Sequence, residues 1–157
     1  MITTERLLLR RFTHEDEHAL AEIMTDSMVY RYLGTGNPIT KDVIGRMIDA
    51  YEATWGHGMG IYAVAERENG KLLGYCGVRG LPCGRKEILY AYGQNTWGKG
   101  YATEAARAVL EAHEYRPLIG LSYPENPGSI AVLKKVGFKH TGQEKMFGKT
   151  LETFILE

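Results

Sequence analysis

Between residues 40 and 55 the apolar side chains fall at Ile44, Met47, Ile48, Tyr51 and Trp55. That i, i+3, i+4 spacing predicts an amphipathic helix, with Thr40 placed to cap it. Ala19, Leu20, Ile23 and Met24 trace a second helical face upstream. Thr13 and Asp16 supply a start signal of the capping-box kind. Residues 5–12 read as a strand with mixed faces, and the polar stretch Gly34–Pro38 separates the two helices. Downstream the period changes. Ile61–Ala65 and Leu72–Val78 are strand-like and flank Asn69-Gly70, a hairpin turn signal. A further strand is predicted over 86–92, a helix over Tyr101–Tyr115 and a short apolar strand over Leu118–Tyr123. A helix over Ser129–Val136 then stops at Gly137, and two strands over 138–156 join near Gly148. The order β-α-α-β-β-β-α-β-α-β-β predicts an α/β domain with a mixed central sheet flanked by helices.

Composition narrows what such a domain does. The 157 residues suit a single domain, 1–157, able to bury roughly 68 to 70% of its unfolded surface. Nineteen basic and 19 acidic residues balance to zero net charge. No bulk field attracts nucleic acid, although a local basic patch is not excluded. The apolar runs are far shorter than the roughly 20 residues of a membrane helix, and the N-terminus has no signal-peptide core, so a cytoplasmic protein is expected. Cys76 and Cys83 are too close and too isolated for a disulfide framework or a zinc site. His14 and His18 stand at i, i+4 without a third ligand, so a solvated helix face is expected and no metal site.

The stretch Trp97-Gly98-Lys99-Gly100-Tyr101-Ala102-Thr103-Glu104-Ala105 lies where a strand hands over to a helix. Small residues there let a ligand approach the backbone. The unpaired amides and positive dipole end of a helix's first turn suit a phosphate or pyrophosphate. The alternative is a loop whose glycines merely satisfy turn geometry. The spacing satisfies neither G-x-x-x-x-G-K-[ST] nor G-x-G-x-x-G, which excludes a nucleotide P-loop and a dinucleotide fingerprint.

The runs Glu87-Ile-Leu-Tyr-Ala-Tyr, Trp97-Gly-Lys-Gly-Tyr-Ala-Thr-Glu-Ala, Pro124-Glu-Asn-Pro-Gly-Ser-Ile and Lys135-Val-Gly-Phe, in this order and spacing, resemble the GCN5-related N-acetyltransferases. Together with the opening Thr4-Glu-Arg-Leu-Leu-Leu-Arg they are similar to the RimJ/RimL branch, which acetylates N-termini of ribosomal proteins. The resemblance spans about residues 3–156 and implies the GNAT fold, an acetyltransferase activity and acetyl-CoA as co-substrate. The family's pyrophosphate loop corresponds to Trp97, Gly98, Lys99, Gly100, Tyr101 and Ala102, with Trp97 where glutamine or arginine is commoner. Tyr90, Ala91 and Tyr92 correspond to a strand that splays from its neighbour, offers backbone groups to the pantetheine arm and supplies an N–H for the developing oxyanion. Asn126 and Ser129 match the family's N-x-x-S; the asparagine is expected on the pantetheine arm and the serine on the departing thiolate. The tyrosine that usually acts as general acid four residues later is Leu133 here, so Ser129 or water takes that role.

An alkylammonium must lose a proton before it attacks a thioester. Glu87 is the expected base, acting through water, against the alternative of a charge on the strand's solvent face or a partner for a nearby lysine. Glu104 in the first turn of a helix has an ordinary dipole-stabilising role. Tyr30, Tyr32, Trp55 and Tyr62 lie in segments expected on the acceptor side; Tyr30 and Tyr32 are the expected substrate-binding residues, and Trp55 is expected in the core. Cys76 reads as a buried strand cysteine rather than an acyl carrier. The expected reaction is direct transfer of acetyl to a primary amine, of a protein N-terminus or a small molecule, in a ternary complex. A non-catalytic acyl-CoA sensor of the same fold is the alternative, and a phosphate-binding module unrelated to CoA leaves Asn126 and Ser129 unexplained. The neutral charge gives no steer toward ribosomal proteins, and the family's frequent dimers are what the resemblance offers for a homodimer.

Overall fold

The computed structural model describes residues 1–157. Its strands are β1 (Ile2–Thr3), β2 (Leu7–Arg10), β3 (Gly60–Glu66), β4 (Leu72–Gly80), β5 (Lys86–Tyr92), β6 (Leu118–Ser122), β7 (Lys139–Met146) and β8 (Lys149–Leu156). The helices are α1 (Glu17–Met24), α2 (Ser27–Tyr30), α3 (Ile44–Ala53), α4 (Tyr101–Ala112) and α5 (Pro127–Lys135). One sheet runs β1-β2-β3-β4-β5-β6-β8-β7 and is antiparallel except between β5 and β6. No helix is long and apolar enough to cross a membrane.

The two helical layers follow from alternation along the strands. Ile88 and Tyr92 of β5 join the core formed with Ala105, Val109 and Leu133 of α4 and α5. Ala91, one step out of phase, joins the opposite core with Leu20, Ile44, Ile48 and Tyr51 of α1 and α3. A period of two therefore sends neighbouring β5 residues to different layers. Within β4, Gly77 lies so close to β3 that a Cβ there would strike the Gly60 carbonyl and the Ile61 Cα.

Several expected boundaries move, each for a local reason. The strand expected over 5–12 pairs only over Leu7–Arg10, and β1 and α2 are extra elements of two and four residues, too short to carry a period. Asp16 accepts from the Thr13 N–H at 2.9 Å and from both terminal nitrogens of Arg10, anchoring the entrance to α1. Helix α3 ends at Ala53, so Trp55 is outside it and packs edge-on against Tyr62, with ring centroids 4.7 Å apart. Helix α4 ends at Ala112 rather than Tyr115. The chain turns extended at His113, whose ring is held by the Tyr62 hydroxyl at 2.9 Å and by the Gly58 carbonyl. Helix α5 begins two residues early because Pro127 suits a first helical position and Asn126 caps it.

Candidate functional site

Strands β5 and β6 pair in register only at Glu87 and Ile119, and beyond that point they separate. On its other edge β5 pairs with β4 along its whole length. The Gly93 N–H continues that ladder to the Leu73 carbonyl, so by alternation Glu87, Leu89 and Ala91 bond toward β4. Ile88, Tyr90 and Tyr92 turn their backbone groups toward the opening. The gap leads into a cleft of about 1080 Å³ that reaches from the 97–103 loop to residues of α2 and α3. Of the three β5 residues expected to offer backbone groups, Tyr90 turns both of its groups and Tyr92 its N–H to the cleft, the Tyr92 carbonyl accepting from the Trp97 indole, and Ala91 faces β4.

At one end of the cleft lie Trp97, Gly98, Gly100, Tyr101, Ala102 and Thr103. Gly98 and Gly100 have φ of +76° and +82°, the left-handed region open to glycine at little cost. Gly100 precedes α4, whose N-terminus has no side-chain cap. The first internal bond of that helix is Glu104 N–H to the Gly100 carbonyl. The amides of Tyr101, Ala102 and Thr103 are therefore left for a ligand. Lys99 is not part of the cleft wall; its carbonyl accepts from Arg6 at 2.8 Å. Arg6 also pairs with Glu104 at 2.7 Å and stacks on Tyr101, which ties the loop to β2. Burial raises the Glu104 carboxyl, but bonds from Thr4 and Arg6 outweigh it and leave its pKa lowered. The Trp97 indole donates to the Tyr92 carbonyl at 2.9 Å, while the residue lines the cleft and is 43% exposed.

Across the gap, the Asn126 side chain accepts from the Ser129 N–H at 3.3 Å and fixes the start of α5. The Tyr90 hydroxyl donates to the Ser129 carbonyl at 2.9 Å and lies 3.1 Å from Ser129 Oγ. With that tyrosine proton on the carbonyl, the 3.1 Å contact is one that the Ser129 hydroxyl donates to the Tyr90 oxygen, so the serine must turn from Tyr90 to reach a ligand in the cleft. Leu133 is buried against Gly120, where a Cβ would come within 2.6 Å of its Cδ2.

Glu87 stands where the two halves of the cleft meet, 5% exposed. It is therefore not a charge on a solvent face, and its partner is an arginine rather than a lysine. Arg79, its register partner on β4, donates from Nε to Oε1 at 2.8 Å. Desolvation pushes the Glu87 carboxyl above its ordinary 4.5, and the Arg79 charge opposes that rise. Arg79 escaped the sequence reading. Folding the 72–92 segment about Cys83 would have paired it with Glu87.

Toward α2 and α3 the cleft is lined by Tyr32, Leu33, Met47, Tyr51 and Tyr75. Tyr32 donates to the Glu125 carbonyl at 3.0 Å and meets Tyr123 edge-on. Tyr30 is half-buried and does not line the cleft. Tyr62 and Trp55 pack on the α4 side of the sheet with His113. Cys76 is fully buried in β4, and burial pushes its thiol up to about 12.

These features fit acetyl-CoA. The uncapped α4 amides suit its pyrophosphate, the free β5 edge its pantetheine amides, and the gap at Glu87 its thioester. Residues 6–139 match the acetyltransferase (GNAT) domain family. The chain is 31% identical over 151 residues to the uncharacterized N-acetyltransferase YnaD of Bacillus subtilis (strain 168), spanning 90% of this chain and 84% of that protein. An acetyltransferase from Agrobacterium tumefaciens has a similar structure, with a TM-score of 0.82 at 25% identity over 99% of this chain and 93% of the other. RimL, a ribosomal alpha-N-protein acetyltransferase in complex with coenzyme A, shares the fold with a TM-score of 0.81 at 14% identity, over 99% and 96% of the two chains. The chain belongs to the GNAT acetyltransferases, enzymes that draw their acetyl group from acetyl-CoA.

Proposed function

We propose that the protein is an N-acetyltransferase that passes acetyl from acetyl-CoA directly to a primary amine, of a protein N-terminus or a small molecule, in a ternary complex. One observation carries the reading: a single cleft joins the uncapped start of α4 to the buried carboxylate of Glu87 through the gap between β5 and β6. Amides of residues 98–102 hold the pyrophosphate. The open edge at Tyr90 and Tyr92 and the Asn126 side chain align the pantetheine arm. Glu87 removes a proton from the acceptor ammonium, directly or through one water. The Tyr90 N–H donates to the thioester oxygen as negative charge gathers there. The Ser129 hydroxyl donates to the departing sulfur; a hydrogen bond suffices because a thiol ionises near 8.5. Tyr32 forms part of the acceptor wall. The likeness to RimL supports a place in the RimJ/RimL branch.

A thiol-release assay with acetyl-CoA and a panel of peptides, amino acids, polyamines and aminoglycosides tests this. Acceptor-dependent release is expected, slowed roughly a hundred- to ten-thousand-fold in Glu87→Gln and less in Ser129→Ala. Tight acetyl-CoA binding with no turnover on any acceptor would overturn it.

A further inference from the structure

We propose that the acceptor is a small amine bearing a carboxylate within a few bonds of its reacting nitrogen, as a free amino acid does, and that Arg79 binds this carboxylate. The proposal rests on the reading of Glu87 as the base. Arg79 spends one N–H on Glu87 through Nε, and its two terminal nitrogens make no hydrogen bond to the protein. Arginines that brace this fold behave differently: Arg10 and Arg85 engage both terminal nitrogens on Asp16 and Glu144. The Arg79 side chain is 41% exposed and lines the cleft, so its fork faces the space where an acceptor enters. A planar guanidinium with a free edge matches a carboxylate in two parallel bonds.

The charge lining the cleft points the same way. Its ionised side chains are Arg31, Arg79 and Lys135 against Glu87 alone. A polyamine or an aminoglycoside would bring extra positive charge into a cleft that offers no second carboxylate. An amino acid is neutral overall. Its amine and carboxylate share one carbon, which fits two neighbouring binding groups: the second oxygen of Glu87, which has no protein partner, and the Arg79 fork, whose Nε is bonded to the first oxygen of the same carboxylate at 2.8 Å. Leu33, Met47, Tyr51 and Tyr75 give its side chain an apolar wall.

The test compares L-amino acids with their amides and decarboxylated amines, alongside spermidine and a short peptide. Turnover is read by thiol release and binding to the CoA-loaded protein by calorimetry. The amide's amine is the easier to deprotonate, so a preference for the acid cannot come from amine basicity. The expected kcat/KM for the preferred amino acid exceeds that of its amide by about ten- to a hundred-fold, mostly through KM. Arg79→Gln and Arg79→Lys erase the preference, and the lysine variant, keeping a charge beside Glu87, guards against loss of folding. Amides, spermidine or peptide turned over as well as amino acids would overturn the proposal and leave the transferase reading standing. So would Arg79→Lys lowering acid and amide alike, the result of a merely structural role. Arg79-dependent binding of amino acids without any turnover would instead remove the transferase reading and with it the acceptor role, leaving Arg79 as a carboxylate-binding group alone.

Discussion

Glu87 owes its chemistry to two opposed neighbours, low-dielectric surroundings and a guanidinium. Because burial wins, its carboxyl titrates above 4.5, and the acid limb of the pH–rate profile should lie above the usual glutamate range. Glu87→Gln should abolish that limb together with most of the rate. The same shift costs stability in the other direction. The folded state holds this proton more tightly than the unfolded chain, so its contribution is greatest below 4.5 and fades as pH rises through the raised value. Gly100 illustrates the other kind of site residue, chosen for its backbone. An alanine there adopts a left-handed φ at roughly 1–2 kcal/mol and places its Cβ 3.3 Å from Arg6 Nη2. Gly100→Ala should raise KM for acetyl-CoA in a saturation assay while changing kcat less. Gly100 and Glu87 were legible because each sits in an ordered motif. Arg79 was not, since its meaning lies in a partner across a hairpin whose turn the pattern left unassigned.

The clearest sequence signals became elements of the fold: α3 from its apolar period, and β3 and β4 from the flanks of Asn69-Gly70, with one register shift between Val64 and Ala65. Where prediction and fold differ, a tertiary contact decided. His113 ends α4 because its ring is used elsewhere, and β1 exists through pairing with β2. The parting of β5 from β6 had no signature of its own in apolar periodicity and was expected only through family resemblance. Close strand approach gives a prediction at this scale. Gly77→Ala sets a methyl against backbone atoms of β3, which cannot rotate away as a side chain would. It should cost about 1–3 kcal/mol or more, seen as a lower urea midpoint with an unchanged m-value.

Across the molecule, the sheet separates two cores while one cleft borrows walls from both. A ligand filling that cleft binds the folded chain and not the unfolded one. At one hundred times its Kd, acetyl-CoA should add about 2.7 kcal/mol and lift Tm by roughly 5 to 11 °C, measurable by calorimetry. Gly100→Ala should shrink the shift at the same concentration. The bond from Trp97 to the Tyr92 carbonyl has an optical consequence. The chain has only two tryptophans, and Trp55 packs beside Tyr62 and His113 and does not line the cleft. Trp97 is therefore a built-in fluorophore at the cofactor's doorstep: its emission should change in colour and yield as the cleft fills, over a constant background from Trp55. Trp97→Phe supplies the blank, so loading of the cleft can be followed in real time without any attached dye.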